Sequence, residues 1–172
     1  MTEPAHRHIV MMGVSGNGKS TIGEALAAEL GSVFIEGDTY HPRANVEKMA
    51  SGIPLDDEDR RPWLKVLGTE IARQEALGRT SVTSCSALRR RYRDWLREAY
   101  AGLFFLYLDA PYELLLERMR HREHFMPPSL LRSQFETLEP LEPDEAHAVI
   151  DNTQPVEDVV AACLAAVRPE HG

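Results

Sequence analysis

Short, wholly apolar runs alternate along the chain with longer segments in which apolar residues recur every three or four positions. The first apolar run covers residues 9–12 and stops at Gly13, which predicts a buried β-strand. From residue 19 to residue 30 the pattern becomes helical, and Gly31 follows as a helix stop. The chain is therefore expected to begin with a strand that leads directly into a helix.

The same alternation continues to the C-terminal end. Further strands are predicted at residues 33–36, 80–85, 103–108 and 148–150, and the unbroken apolarity of 103–108 (LFFLYL) indicates burial on both faces. Further helices are predicted from Pro42 towards Gly52, from Asp56, over 88–100, from Pro111 and from Pro155. This order indicates an α/β fold, a doubly wound parallel sheet of about five strands flanked by helices. No repeat or linker divides the chain, so we expect one domain over residues 1–172.

Composition narrows the expected partners and the compartment. The chain has 172 residues and a formal charge of −8, with 27 acidic and 19 basic side chains. Such a negative field opposes nucleic acid and anionic membranes, so we expect neither as a partner, and any anionic ligand needs a local cationic site. The apolar run at 9–12 is too short for a signal peptide or a membrane span, and the two cysteines lack metal-ligand spacing. We therefore expect a cytoplasmic protein with reduced thiols.

The loop between the first strand and the first helix carries the most specific motif. It reads Gly13-Val14-Ser15-Gly16-Asn17-Gly18-Lys19-Ser20 and satisfies G-x-x-x-x-G-K-[ST] in the strand–loop–helix context that the motif requires. Its glycines let successive backbone N–H groups turn towards one anion at the positive end of a helix. Lys19 is expected to reach the β- and γ-phosphates of ATP, and the Ser20 hydroxyl is expected to ligate Mg²⁺. We therefore predict an ATP site over these residues and Thr21.

The rest of the sequence indicates which kind of nucleotide-binding protein this is. The guanine-reading N-K-x-D of GTPases is missing, and no predicted strand ends in the D-x-x-G of a GTPase switch. A motor or transporter ATPase would need a longer chain. A short P-loop domain with an arginine-rich segment late in the chain is the plan of small-metabolite and nucleotide kinases. The alternative from another class is a nucleotide-binding regulatory module without catalysis.

Two carboxylates follow the second predicted strand. Glu36-Gly37-Asp38 should lie at the carboxyl edge of the sheet, beside the P-loop, where ligands of open α/β sheets bind. A carboxylate there can accept the proton of an attacking hydroxyl group, so Asp38 is the predicted general base. The other interpretation is that Asp38 is a loop residue that caps the next helix.

Several longer strings carry a resemblance to a known family. Residues 38–55 (DTYHPRANVEKMASGIPL) run directly into residues 56–64 (DDEDRRPWL). They are followed by 85–88 (CSAL), 92–97 (YRDWLR), 124–126 (HFM) and 134–139 (QFETLE). With these strings the chain resembles the gluconate kinase (gluconokinase) family from about Ile9 to Val160.

The resemblance implies a P-loop NTPase fold of the nucleoside-monophosphate-kinase-like type, related to shikimate kinase. It also implies transfer of the ATP γ-phosphate to the 6-hydroxyl of D-gluconate, a Mg²⁺ requirement and a homodimer. Glu36 stands where many members have aspartate and is expected to act near Mg²⁺ through water. Gln154 and Pro155 resemble the loop that edges the adenine, so both are assigned to the ATP site. A kinase of the same fold acting on shikimate or another small polyol acid is the nearest alternative.

Basic residues cluster in two places. Arg118 and Arg122 fall in a segment, roughly residues 118–130, that resembles the lid of related kinases; a solvated helix face is the other interpretation. In a lid they would stabilise the charge that develops on the migrating phosphoryl group. A further cation is needed to hold the gluconate carboxylate. The candidates are His41, Lys48, Arg89 and Arg93, and Arg93 is favoured because Tyr92-Arg93-Asp94 matches the family string.

Overall fold

Five parallel strands form one sheet at the centre of the protein. The computed structural model describes residues 6–14, 16–120 and 129–168. Its strands are β1 (His8–Met12), β2 (Val33–Glu36), β3 (Ser81–Ser84), β4 (Phe104–Asp109) and β5 (His147–Asp151). Its helices are α1 (Lys19–Leu30), α2 (Arg43–Ala50), α3 (Asp57–Ala76), α4 (Arg90–Ala99), α5 (Tyr112–Arg120), α6 (Ser129–Thr137) and α7 (Val156–Val167). Among these described helices, none is both long and apolar enough to cross a membrane.

The strands pair in the order β2-β3-β1-β4-β5, and every pair is parallel. This topology confirms the predicted α/β class and its five strands. All five residues of β1 are buried, because β1 lies between β3 and β4 at the centre of the sheet. Since parallel strands end at the same edge, the loops that follow β1, β2 and β3 meet there. The P-loop therefore adjoins the segments that begin at Gly37 and Cys85.

Helices cover both faces of the sheet, as predicted, and each face has its own apolar core. One core contains Val10 of β1 and Trp63 of α3. The other contains the next β1 residue, Met11, and Leu26 of α1. Successive side chains of a strand point to opposite faces, so one short strand contributes to both cores.

The helix ends follow the local sequence. Asp56 accepts a hydrogen bond from the backbone N–H of Asp59 at 2.8 Å, and Asp59 accepts one from the N–H of Asp56 at 2.9 Å. These two bonds form a capping box that starts α3 after the predicted cap residue. Gly31 ends α1 with a left-handed φ of 67°. Helix α4 begins at Arg90 rather than at residue 88, because Ala87 takes a φ of 46° and turns the chain just before it.

A buried ion pair joins α4 to the segment before β5, and it corrects one prediction. The side chains of Arg93 and Glu145 are fully buried, with Nε–Oε1 and Nη2–Oε2 distances of 2.7 and 3.1 Å. Arg93 Nη1 also donates to the backbone oxygens of Ala87 at 2.9 Å and Leu88 at 3.3 Å. Burial alone would raise the pKa of Glu145, but hydrogen bonds from Arg93 and Arg97 lower it to about 2. The Arg93 guanidinium is thus occupied inside the protein and is unsuited to clamp a substrate carboxylate.

Replacing Glu145 by glutamine should destabilise the protein by about 3–5 kcal/mol, because the Arg93 guanidinium would stay buried without a counter-charge. Urea denaturation of both proteins measures the difference. The pKa of Glu145 is lowered by folding, so its contribution is complete above its ordinary value near 4.5. The gap between wild type and variant should therefore close as pH falls from about 4.5 towards 2.

Glu142→Gln is the matched control for this experiment. Glu142 lies in the same segment as Glu145 and pairs with Arg90 of α4. Both side chains are partly exposed to water, Glu142 at 58% and Arg90 at 32%. Exposed ion pairs contribute little to stability, so this variant should lose far less than Glu145→Gln. Equal losses of stability in the two variants would show that burial gives the Arg93–Glu145 pair no larger contribution than an exposed pair.

Candidate active site

The loop between β1 and α1 has the backbone that an anion-binding nest needs. Gly13, Gly16 and Gly18 have positive φ angles of 146°, 81° and 77°. A Cβ on Gly13 would lie 2.1 Å from Nδ2 of Asn17, and one on Gly16 would lie 2.7 Å from Cγ of Met119. Both the backbone conformation and the available space therefore favour glycine at Gly13 and Gly16, which lets the loop wrap closely around a phosphate.

Lys19 lies in the first turn of α1 and reaches back across this loop. Its Nζ donates to the backbone oxygen of Val14 at 3.1 Å, and its backbone N–H donates to Oδ1 of Asn17 at 3.1 Å. Burial lowers the pKa of Lys19, while the negative charges of Asp38 and Glu36 act in the opposite direction. The Nδ2 group of Asn17 is buried and lacks a hydrogen-bond partner among the described residues. A cation held over the loop, next to a buried donor, fits a site for phosphate.

Ser20 and Glu36 form an oxygen-rich pair beside the P-loop. The Ser20 hydroxyl donates to Oε2 of Glu36, and the Ser84 hydroxyl donates to Oε1 at 2.6 Å. Hydroxyl and carboxylate oxygens suit Mg²⁺, which usually keeps several waters and binds substrate phosphates in place of a complete protein cage. The described part of the chain has no cluster of three or more His, Cys, Asp or Glu side chains that could form such a cage. The pair therefore fits Mg²⁺ bound together with a nucleotide.

A cavity of about 240 Å³ opens beside the P-loop. Asn152, in the loop after β5, lines this cavity and contacts both the P-loop and α5. Its Nδ2 donates to the backbone oxygen of Asn17 at 2.5 Å, and its own backbone oxygen accepts from Nη2 of Arg118 at 3.0 Å. Thr21, Gln154 and Pro155, all assigned to ATP from the sequence, line the same cavity. The contact of Asn152 with the P-loop was not predicted from the sequence.

Asp38 lies in a 3₁₀ turn, Gly37–Tyr40, that follows β2 directly. The turn packs tightly against β3, because a Cβ on Gly37 would lie 2.0 Å from the backbone oxygen of Ser84. Trp63 Nε1 fixes the turn from the other side by donating to the backbone oxygen of Gly37 at 2.8 Å. The side chain of Asp38 remains 51% exposed. Helix α2 starts only after its cap residue Pro42, so the structure does not use Asp38 as a helix cap.

Three charged side chains influence the Cys85 thiol, which follows the end of β3. Burial raises the pKa of the Cys85 thiol to about 12, and Asp38, Lys19 and Arg60 all act on it electrostatically. Lys19 comes from α1, Asp38 from the turn after β2, and Arg60 from α3. The predicted phosphate ligand and the predicted base therefore act on the same thiol as a third charge, which was not predicted.

That third charge, Arg60, is the main residue that sequence reasoning missed. Its residue exposure is 9%, its Nη1 donates to the hydroxyl of Tyr92 at 2.8 Å, and its guanidinium carbon lies 5.0 Å from the Tyr92 ring centroid. Arg60 and Arg89 line a second cavity, of about 360 Å³. The sequence did contain a clue, because Arg60 precedes Leu64 and Leu67 by four and seven positions and so belongs to the buried stripe of α3.

The other candidates for the carboxylate clamp have different surroundings. Lys48 Nζ lies 2.6 Å from Oδ2 of Asp59, which neutralises it. Burial and the charge of Arg60 lower the pKa of His41 to about 4, so its ring is neutral near pH 7. Arg89 has a side-chain exposure of 41% and lines the second cavity. Of the four candidates, Arg89 is the charged residue that faces this cavity.

The structure describes only the two ends of the predicted lid, residues 118–120 and 129–130. Arg118 belongs to α5 and faces the cavity beside the P-loop. Arg122 and most of residues 118–130 lie outside the described residues, as does Ser15 of the P-loop. The role of the lid therefore stays a prediction.

Known proteins share this sequence and this arrangement of elements. A family profile described as an AAA domain matches residues 9–141. The chain is 41% identical over 169 residues to the thermoresistant gluconokinase of Escherichia coli (strain K12), and the match covers 97% of each protein. The crystal structure of a gluconokinase from Sinorhizobium meliloti 1021 has 47% identity and a TM-score of 0.86, over 95% of this chain and 93% of that one.

A more distant structure shares the fold alone. The shikimate kinase of Aquifex aeolicus vf5 has 17% identity and a TM-score of 0.66, over 92% of this chain and 95% of that one. Its likeness confirms the predicted kinase fold, whereas the two gluconokinases are similar in sequence over nearly the whole chain. The chain therefore belongs to the gluconokinase family of P-loop kinases.

Proposed function

We propose that the protein transfers the γ-phosphate of ATP to the 6-hydroxyl of D-gluconate and so forms 6-phospho-D-gluconate. The P-loop and α3 contact the end of β2 and the turn that follows it, through the hydrogen bonds from Ser20 to Glu36 and from Trp63 to the backbone oxygen of Gly37. The observation that carries this proposal is this junction at the carboxyl edge of the sheet, which joins the segments of Lys19, Asp38 and Arg60. They supply a cation for phosphate, a carboxylate to accept a proton and a cation for an acidic substrate, in a reaction that depends mainly on positioning and charge. Membership of the gluconokinase family supports the same reaction.

On the nucleotide side, the backbone N–H groups of the P-loop would hold the phosphates, and the cavity lined by Thr21, Gln154 and Pro155 would receive the nucleoside. Ser20 would ligate Mg²⁺ directly and Glu36 through water. When bound, Mg²⁺ neutralises charge on the phosphate oxygens. Lys19 would stabilise the charge that develops on the γ-phosphoryl group, and we assign the same role to Arg118 and Arg122.

On the acceptor side, Asp38 would accept the proton of the 6-hydroxyl as the hydroxyl oxygen attacks phosphorus. Its half-exposed carboxylate sits on a turn that is fixed by Gly37 and Trp63, so a substrate can reach it without moving the backbone. Arg60 is the cation best suited to hold the gluconate carboxylate, because it is buried and still lines a cavity. Arg89 lines the same cavity, with its Nη1 3.6 Å from Oδ1 of Asp57, and would assist.

Replacing Arg60 by methionine should raise the KM for gluconate by roughly 10- to 100-fold, the equivalent of one charge-assisted hydrogen bond of about 1.5–3 kcal/mol. The KM for ATP should change little. The preference for gluconate over a neutral hexitol should narrow, because only the charged acceptor loses an interaction. Steady-state kinetics with both acceptors measure all three quantities.

Arg61→Met is the matched control for this prediction. Arg61 is the next residue of α3, is exposed, and lies over the Trp95 ring with its guanidinium carbon 5.4 Å from the centroid. Arg61 does not line the second cavity, whereas Arg60 does. An unchanged gluconate-to-hexitol preference in a folded Arg60→Met protein would remove Arg60 from the clamp and leave Arg89 as the candidate.

A panel of acceptors tests the reaction itself. The purified protein, incubated with ATP and Mg²⁺, should release ADP with D-gluconate far faster than with shikimate, a neutral hexitol or other polyol acids. Faster release with another acid would move the proposal to that substrate. Absence of acceptor-dependent ADP release would favour a regulatory nucleotide-binding module.

We further propose that the enzyme is a cytoplasmic homodimer. Resemblance to the gluconokinase family supports the dimer, and the free, buried thiols of Cys85 and Cys163 support the cytoplasmic location. Light scattering coupled to size-exclusion chromatography would test the assembly, and a single species at the monomer mass of 19.4 kDa would count against it.

A further inference from the structure

His41 occupies a distinctive position at the acceptor site. Its side chain is 4% exposed and its ring is stacked on Trp63, with a centroid distance of 3.8 Å and an interplanar angle of 21°. One ring nitrogen, Nδ1, lies 3.3 Å from Nδ2 of Asn45. The other, Nε2, lies 3.9 Å from Oδ1 of Asp38. The ring plane is thus fixed, and each nitrogen faces a different polar neighbour.

Asn45 determines which ring nitrogen carries the proton. Its Nδ2 donates to the backbone oxygen of Asp59 at 2.8 Å, and the same amino group faces Nδ1 of His41. An amide NH₂ only donates hydrogen bonds, so Nδ1 must be the acceptor. The opposite amide orientation would set two oxygens, those of Asn45 and Asp59, against each other at 2.8 Å. The proton of a neutral His41 therefore resides on Nε2.

The surroundings also keep the ring neutral. Burial is the largest influence that lowers the pKa of His41 to about 4, and the positive charge of Arg60 adds to it. Asp38 is the carboxylate that faces the ring, and its distance of 3.9 Å is too long for a direct hydrogen bond. Lys48 and Asp59, on the neighbouring helices, neutralise each other. Near pH 7 the ring thus offers one N–H, aimed at the space in front of Asp38.

We propose that His41 is a neutral hydrogen-bond donor to the acceptor hydroxyl that contacts Asp38, and that Asn45 is the positioning residue that holds the required tautomer. His41 Nε2 and Asp38 Oδ1 are 3.9 Å apart. A hydroxyl oxygen to one side of the line that joins them can lie about 2.8 Å from both, accepting from Nε2–H and donating to the carboxylate. The inference rests on the proposed function for the identity of the acceptor. It also separates two tasks: His41 recognises a hydroxyl group, whereas Arg60 recognises the acid.

The tautomer can be read directly in the free protein. Protein labelled with ¹⁵N in its histidine rings should show His41 as a neutral Nε2–H imidazole at pH 7, with the signal assigned by its loss in His41→Phe. Asn45→Ala should abolish this fixed state and give a mixture of tautomers. An Nδ1–H ring or an imidazolium in the wild-type protein would overturn the proposal, whatever the enzyme phosphorylates.

Kinetics then test the role of this N–H group. His41→Phe keeps the stacking on Trp63 but removes the donor, so the KM should rise about 3- to 10-fold, the effect of one neutral hydrogen bond. The rise should be equal for gluconate and a neutral hexitol, since both carry the hydroxyl. His41→Gln, which returns an N–H donor at a similar reach, should recover most of the loss, and thermal melting verifies that each variant is folded.

The kinetic outcomes are distinct. An unchanged KM in His41→Phe, or a selective loss for gluconate, would overturn the role as hydroxyl donor, the latter in favour of a carboxylate ligand. Failure of the wild-type protein to phosphorylate gluconate would instead refute the proposed function and the role at that hydroxyl. In that case the ring spectrum would still decide the tautomer by itself.

Discussion

Asp38→Asn should lower kcat by roughly 10²–10⁴-fold, the usual contribution of a positioned general base. The amide keeps the shape of the side chain but cannot accept the proton of the attacking hydroxyl. The turn that carries Asp38 is held by Gly37 and Trp63, so the backbone should stay in place. The KM for ATP should change little, because the P-loop provides the phosphate contacts. Coupled ADP-release kinetics at saturating gluconate and ATP measure both values.

Asp109→Asn is a suitable control for the loss of one negative charge. Asp109 is exposed at the last position of β4, at the same edge of the sheet, but it follows a different strand from Asp38, and its Oδ1 lies 3.5 Å from the Tyr107 hydroxyl. This variant should keep a kcat near that of the wild type. If Asp38→Asn abolished ATP binding and left kcat intact at saturation, Asp38 would belong to the metal or phosphate site instead.

Lys19→Ala should remove turnover almost completely, with a loss of at least roughly 10²–10³-fold, as expected when a fixed group that stabilises transition-state charge is removed. Burial lowers the pKa of Lys19, but Asp38 and Glu36 counteract this effect and favour the charged form. Lys19→Arg should not restore activity, because a planar guanidinium cannot follow the path of the ammonium across the loop to Val14. Single-turnover phosphate transfer measures the chemical step directly.

Lys65→Ala serves as the control for Lys19→Ala, since Lys65 is an exposed lysine on α3, outside the P-loop. Circular dichroism should show that both variants are folded. A folded Lys19→Ala protein with near-normal kcat would mean that the γ-phosphoryl charge is stabilised elsewhere, and the assignment of the P-loop lysine would be withdrawn.

The sequence predicts best those elements that are determined by residues close together in the chain. The P-loop is defined by eight consecutive residues, and the cap at Asp56 depends only on Asp59, three positions away. β4 has the continuous apolarity that burial on both faces requires, and it was placed within one residue. β5 was predicted too short because it is an edge strand whose exposed residues weaken the apolar pattern.

The prediction that Arg93 holds the gluconate carboxylate was wrong for a physical reason. Arg93 matched a family string, but its partner Glu145 lies 52 positions further along the chain, and no local pattern reveals such a pair. Arg60 lies in the string 56–64 that carries the family resemblance, but the string does not show which of its charged residues face a ligand. Its position on the buried stripe of α3 does indicate an inward orientation, but the sequence alone does not show that a cavity opens there. Helical periodicity thus gives the direction of a side chain, and tertiary contacts decide its use.

The central position of β1 has a consequence for protein synthesis. β1 emerges first from the ribosome, yet its two neighbours in the sheet begin at Ser81 and Phe104, and contacts this distant in the chain form slowly. Two further hydrogen bonds hold the P-loop. The Gly13 N–H donates to the backbone oxygen of Ser86, and Asn152 Nδ2 donates to the backbone oxygen of Asn17. A nascent chain that ends before Asn152 therefore lacks part of its nucleotide site. We therefore expect full affinity for ATP only after Asn152 has been synthesised and has joined the P-loop.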